Sequence, residues 1–224
     1  MRQEYSTKEL FPVRCFAFTA SEHLTASALE ACREIKYKKY NEPYGVGTSD
    51  EIQHLHQFRF LHEWFQQCVD TLHVDYAWNC DRLVVNKSWA NRSDAGTGHH
   101  HYAHRHPMSF LSGIFYLTEG APTVFLDPND RREWGQFTLD GGPEDECRYY
   151  YHGGPGGLIL FPSYVVHSSV PNDTEFDRYT IAFNTFPSGN VNSGAWDRSM
   201  AEVTVRGWSP SELGPLRLDD YARQ

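Results

Sequence analysis

The stretch HHHYAHRHPMSFLSGIFYL, residues 99–117, joins a histidine cluster to an apolar strand, and its counterpart FPSYVVHSSVPNDTEFDRYTIAFN follows at residues 161–184. His104 and His106 are two positions apart and run straight into Pro107. In extended backbone such side chains project from one face, so the two imidazoles have the geometry of a chelate. A third imidazole, His167, closes the apolar run LILFPSYVV, which reads as a strand able to pair beside the first. Imidazole suits Fe, Zn, Cu or Ni, and three protein ligands on one face leave positions open for substrate and oxygen. Neighbouring histidines can equally form a solvated loop. Arg178 weighs against that reading here.

Arg178 opens RYTIAFN, in which Arg178, Thr180, Ala182 and Asn184 share one strand face and Tyr179, Ile181 and Phe183 the other. A guanidinium on an inward face needs a carboxylate or a ligand, because a buried unpaired charge is costly. Its planar fork suits a carboxylate held by two hydrogen bonds. A structural salt bridge is the competing role for a single arginine.

Together, H-x-H-P followed by S-x-x-S-G-x-x-Y-L, then G-x-L-x-L-F-P-S-x-x-x-H, then R-x-T-I-A-F-N resembles the Fe(II)/2-oxoglutarate oxygenases of bacterial and phage genomes, within the prolyl-hydroxylase-like superfamily. The resemblance covers about residues 78–186, with weaker similarity in LFP at Leu10–Pro12. It implies that His104 and His167 are iron ligands. It also implies that Arg178 with Thr180 clamps the distal carboxylate of 2-oxoglutarate, and that Tyr116 hydrogen-bonds the same carboxylate. Where the superfamily has Asp or Glu after the first histidine, this chain has His106. A three-histidine site follows, with Asp94, Glu119 or Asp127 as alternative carboxylate ligands and His101, paired with His99, as a rival imidazole. Three neutral imidazoles leave the metal more positive than two plus a carboxylate, which favours an anionic chelate.

The implied cofactors are Fe(II), 2-oxoglutarate and O2, and the implied reaction is hydroxylation of a small-molecule or peptide substrate with release of succinate and CO2. Desaturation or ring closure would use the same cofactors. Two other classes share the imidazoles: a three-histidine iron dioxygenase whose own substrate chelates the metal, and a non-catalytic metal-binding jelly roll.

With 224 residues, 40% hydrophobic and 15% aromatic, the chain can bury a sizeable core and reads as one domain. We divide it into residues 1–75, an N-terminal strand and supporting helices; 76–186, a jelly-roll catalytic core; and 187–224, a C-terminal extension. The net charge of −9 argues against nucleic-acid binding, which needs Lys and Arg to neutralise phosphates. No stretch approaches a membrane span, and the N-terminus lacks a signal-peptide core. Five cysteines without a C-x-x-C pair read as free thiols, so a cytoplasmic protein is expected.

A first strand is expected over 10–18 and helices over about 21–39 and 50–73, the second capped by Ser49 or Asp50 and separated from the first by a loop, NEPYGVGTSD. His54, His56, His62 and His73 share no face with the H-x-H pair and read as helix-surface or internally satisfied residues. YAWNC and DRLVVNKSWANR have β texture, and Asn86, Trp89 and Asn91 are candidate substrate contacts. SDAGTGHHHYA is glycine-rich and reads as a mobile lid. After the strand TVFLD, residues 128–157 read as a long insertion contacting substrate, and GGPGG as the turn into the His167 strand. The last 38 or so residues either pack on the barrel or form a homodimer contact. Two helices followed by many short strands give the expected fold class, mainly β with N-terminal helices in a double-stranded β-helix, or jelly roll. The H-x-H pair and His167 are expected on opposing sheets.

Overall fold

In LSGIFY, residues 111–116, Phe115 packs one way and Ile114 and Tyr116 the other, and both sides are buried. A strand buried on both faces must lie between two layers. The computed structural model describes residues 12–39, 46–128, 147–191 and 203–205. Along the chain run β1 (Phe16–Thr19), α1 (Glu22–Glu34), β2 (Lys38–Lys39), β3 (Gly47–Asp50), α2 (Arg59–Tyr76), β4 (Arg82–Ser93) and β5 (Leu111–Tyr116). They are followed by β6 (Thr123–Leu126), β7 (Arg148–Tyr151), β8 (Gly157–Pro162), β9 (His167–Ser169), β10 (Arg178–Val191) and β11 (Val203–Val205). The larger sheet has the order β1-β8-β5-β10-β4-β3-β2, with β11 added to β10, and the smaller has the order β7-β6-β9. Every pairing is antiparallel.

Two cores follow. Between the sheets, Ile114, Tyr116, Ile159 and Phe161 meet Phe125 and Val165. On the opposite side of the larger sheet, Phe115, Tyr179, Ile181 and Phe183 pack under Ala28, Ala31 and Cys32 of α1 and Leu61, Phe65, Val69 and Leu72 of α2. Phe65 stacks on Phe183 with ring centroids 4.4 Å apart and meets Phe115 edge-on at 5.6 Å. Each such phenylalanine contributes about 1.5–3 kcal/mol over an exposed position. Gly113 lets this happen, since a Cβ there would lie 2.4 Å from the Phe183 ring.

The mainly β jelly-roll architecture with N-terminal helices agrees with the sequence, but several boundaries move. Helix α1 starts as expected, Ser21 accepting from Leu24 N at 3.2 Å, but ends at Glu34, and β2 takes up Lys38 and Lys39. The first strand begins only at Phe16, and residues 1–11 lie outside the described residues. The second helix begins at Arg59, not near residue 50. Two 3-10 turns, Ile52–His54 and His56–Phe58, precede it, and Glu51 is left-handed at φ 60°. The cause is tertiary. Gln53 is buried and its Oε1 accepts from Ser88 N at 3.0 Å, which draws this segment onto β4. Part of the expected loop 41–50 is strand β3, paired with β4. YAWNC is not a strand: Tyr76 ends α2, and Ala77 turns the chain at φ 47°. The apolar run before His167 also divides. It leaves the larger sheet at Pro162, turns with Val165 N donating to Pro162 O at 3.0 Å, and enters the smaller sheet as β9. GGPGG therefore leads into β8 rather than the His167 strand. Within the expected insertion, residues 129–146 lie outside the described residues, as do 192–202 and 206–224 of the extension.

Candidate active site

His104 N donates to His167 O and His167 N to His104 O, both at 2.9 Å, an isolated antiparallel bridge. The two imidazoles are therefore neighbours on the smaller sheet rather than facing each other from opposing sheets, because β9 belongs to that sheet. His106 follows, its N–H donating to Ser163 O at 3.1 Å in the turn between β8 and β9. One ring nitrogen from each of His104, His106 and His167 falls within 4.8 Å of the others. Ring centroids are 4.4 Å apart for His104 and His167, 5.0 Å for His104 and His106, and 5.1 Å for His106 and His167.

The Nδ1 of His104 faces Tyr102 O at 2.7 Å and that of His167 faces Val165 O at 3.2 Å. A carbonyl can only accept, so both rings carry their proton on Nδ1 and present Nε2 as the lone-pair nitrogen. Burial, and then the neighbouring imidazoles, depress His167 to about 3; burial, and then His104, depress His106 to about 4. Both are neutral near pH 7, as metal ligation requires.

Polar residues of the motif that face neither core fix this arrangement. Ser163 Oγ donates to Ser109 Oγ and lies 2.8 Å from Ser112 Oγ, and Ser112 Oγ donates to Asn184 Oδ1 at 2.9 Å. Thr185 Oγ1 donates to Leu111 O at 3.0 Å. The serines of S-x-x-S-G and F-P-S thus lock the His106 loop, β5, β10 and the turn before His167 together. Sequence reading uses them only as family markers.

Across the pocket from the smaller sheet lie Arg178, Thr180 and Ala182 of β10 and Trp89 and Asn91 of β4. Thr180 is paired with Asn91 and Ala182 with Trp89. Trp89 also packs on His106, with ring centroids 5.4 Å apart. Arg178 is only 4% exposed. Its hydrogen bond to Thr123 Oγ1 is long, at 3.4 Å, its guanidinium lies 5.7 Å from the Tyr116 ring centroid, and no carboxylate among the described residues pairs with it. Burial works against its charge, with Tyr116 acting the other way. Tyr116 is buried behind this surface, its hydroxyl 2.6 Å from Thr123 Oγ1. Thr123, which carries no sequence signal, is therefore the polar centre between Tyr116 and Arg178.

Asn86 is exposed and outside the pocket. It is the extra residue of a β-bulge in β4, where Asn184 pairs with Lys87 but Thr185 pairs with Val85. Among the described residues Asp94, Glu119 and Asp127 do not join the imidazole group. Asp94 pairs with Arg92 at 2.9 Å. His101 lines the pocket but is also outside that group. The expected mobile lid is stitched down: Gly96 N donates to Thr174 O, Gly98 N to Asn172 O, and His101 N to Ser169 Oγ. As expected for the helix histidines, His62 is satisfied by Ser88 Oγ at 2.7 Å and His73 by Cys80 O at 3.0 Å.

Residues 87–184 match the family model described as "Putative 2OG-Fe(II) oxygenase". The match spans the site-bearing core, which is similar in sequence to the 2OG-Fe(II) oxygenases. The oxygenase is similar in fold to the non-heme alpha ketoglutarate dependent carbocyclase SnoK from nogalamycin biosynthesis, at 14% identity and TM-score 0.64 over 88% of this chain and 90% of that one. A Pseudomonas putida prolyl-4-hydroxylase is similar at 13% identity and TM-score 0.57, over 79% and 94%. HygX from Streptomyces hygroscopicus, solved with nickel and 2-oxoglutarate bound, is similar at 12% identity and TM-score 0.57, over 87% and 93%. These likenesses establish the double-stranded β-helix fold. No curated protein matches the sequence. The oxygenase is Fe(II)- and 2-oxoglutarate-dependent, and its residues fit both cofactors: three convergent imidazoles for the metal, and a buried cation that pairs with no anion among the described residues for the dicarboxylate.

Proposed function

We propose that His104, His106 and His167 hold Fe(II), that Arg178 and Thr180, backed by Tyr116, hold the distal carboxylate of 2-oxoglutarate, and that the enzyme hydroxylates a small-molecule or peptide substrate. The supporting observation is Arg178, a guanidinium buried in the pocket wall among imidazoles, which pairs with no carboxylate among the described residues. A charge so placed is costly unless a ligand pairs with it, and a dicarboxylate lying between it and the metal group meets that need.

When bound, Fe(II) and 2-oxoglutarate supply the chemistry: one oxygen atom of O2 goes to the succinate formed with CO2, and the other goes to the substrate as hydroxyl. The chain supplies position. Nδ1–H contacts hold His104 and His167 with Nε2 inward, Ser163 fixes His106, and Ile114, Trp89 and Ala182 line the pocket with apolar surface. Trp89 and Asn91 stand where substrate would enter beside the metal.

We read the described residues as one domain, since β1 completes the edge beside β8 and β3 pairs with β4. The homodimer contact proposed for residues 187–224 falls mostly outside the described residues. Among those described, no helix is long and apolar enough to cross a membrane. Cys15, Cys32, Cys68 and Cys80 are free thiols, which supports a reducing, cytoplasmic setting.

The test is an anaerobic titration of Fe(II) and 2-oxoglutarate into metal-free protein, following the visible metal-to-cosubstrate charge-transfer band. The band should require His104 and His167. In Arg178→Ala, metal content should be kept while the 2-oxoglutarate Kd rises on the order of 100-fold, the scale of a lost charge-assisted contact. An unchanged Kd in that variant would remove the clamp assignment. Iron bound without any band would favour an oxygenase whose own substrate chelates the metal, or a binding protein.

A further inference from the structure

Among the described residues four imidazoles, not three, line the pocket. The fourth, His101, is set by β9: its N–H donates to Ser169 Oγ at 2.8 Å, and its carbonyl accepts from Ser169 N at 3.2 Å. Its ring lies 6.0 Å, centroid to centroid, from that of His104, and its nitrogens fall outside the group formed by His104, His106 and His167. Among the described residues its Nε2 is buried and has no hydrogen-bond partner. A buried polar atom left unpaired bears its desolvation cost without compensation, and such an atom calls for a ligand.

The surroundings say which ligand. Arg178 is the strongest neighbouring charge acting on His101, followed by His104, His100 and His106. This ring therefore sits in a positive field and lines the same pocket as Arg178, a buried guanidinium that pairs with no carboxylate among the described residues. A carboxylate has no proton to give, so a neutral imidazole facing one donates. We propose that His101 is a second donor to 2-oxoglutarate, its Nε2–H binding the distal carboxylate that Arg178 holds. The inference rests on the reading of Arg178 as the clamp. It makes the orphaned imidazole and the unpaired guanidinium two halves of one anion site, and it removes His101 from the metal ligands.

The experiment compares wild type, His101→Phe and His101→Gln, the glutamine amide standing near the position of Nε2. Metal content is measured alongside anaerobic titration with 2-oxoglutarate and, separately, with 2-oxobutyrate, which chelates metal but lacks the distal carboxylate. Loss of a hydrogen bond to a charged group should raise the 2-oxoglutarate Kd about 10- to 100-fold in His101→Phe, with metal stoichiometry unchanged. His101→Gln should recover most of the loss, and neither variant should shift the weaker 2-oxobutyrate Kd. Against Arg178→Ala the effect should be non-additive, as for two groups sharing one partner. An unchanged 2-oxoglutarate Kd in His101→Phe, equal weakening of both oxo acids, or loss of metal from both variants would overturn the proposal while leaving the clamp in place. Absence of a charge-transfer band in wild type would instead bring down the underlying reading, and this proposal with it.

Discussion

Ser163 shows how a side chain that touches no cofactor can govern the site. It is fully buried, its Oγ bridges Ser109 and Ser112, and its carbonyl receives the N–H of His106 in the turn that leads to His167. Removing that hydroxyl frees the turn from β5 and loosens two imidazoles at once. Ser163→Ala should therefore weaken metal binding about 10- to 100-fold, the usual effect of losing a group that orients a ligand. A chelator-competition titration reads this directly; affinity equal to wild type would show that the serine cluster serves folding alone. At this scale the sequence is informative where spacing encodes direction. His104, His106 and His167 meet, and Arg178, Thr180 and Ala182 share the pocket face, because period-two alternation survives folding. Thr123 and the orphaned nitrogen of His101 stay hidden, since nothing local says that a threonine of TVFL or one histidine among the five of residues 99–106 will meet a distant guanidinium.

Strand β4 shows why alternation can also mislead. On one side of its bulge, Leu83 and Val85 pack toward the helices; on the other, Ala90 joins the same core, Ser88 meets His62, and Trp89 and Asn91 face the pocket. The phase reverses at Asn86, the residue inserted opposite the Asn184–Thr185 step. One extra residue moves every following side chain to the other face, so the simple alternation that groups Asn86 with the pocket fails. The bulge predicts opposite outcomes for two changes at one position. Asn86→Ala keeps the residue count and should leave metal and 2-oxoglutarate affinities within about two-fold of wild type, as expected for an exposed residue. Deleting Asn86 should turn Trp89 and Asn91 toward α2 and abolish soluble, metal-binding protein. Equal behaviour of the two variants in metal titration would contradict the bulge as the aiming device. The helices fail in the sequence for a related reason: Gln53 and Ile52 are held by β4, a distant partner that overrides the local preference between residues 51 and 58.

Across the whole molecule, folding must keep several imidazoles uncharged, and this gives the metal-free protein a defined acid response. Burial places His62 and His106 at about 4 and His101 and His167 at about 3, below the 6.5 of an ordinary histidine. The unfolded chain therefore binds more protons than the folded one between these values. Stability is complete above about pH 6.5 and is lost as pH falls through the window down to 3–4. A depression of one pH unit corresponds to about 1.4 kcal/mol. For a chain of this size that is roughly 3–6 °C in Tm, from about 2–4 °C for each kcal/mol. Thermal unfolding of the metal-free protein should thus give a Tm nearly constant from pH 8 to 6.5 and falling steeply below pH 6. His62 lies outside the pocket, in the contact of α2 with β4, and has its own share in that slope. His62→Gln should make the decline shallower while leaving metal affinity at pH 7.5 unchanged, separating the acid sensitivity of the scaffold from that of the pocket. A Tm that stayed level from pH 7 to 5 would mean that these rings are solvated and titrate normally, and the dry imidazole pocket on which the proposed oxygenase site depends would have to be abandoned.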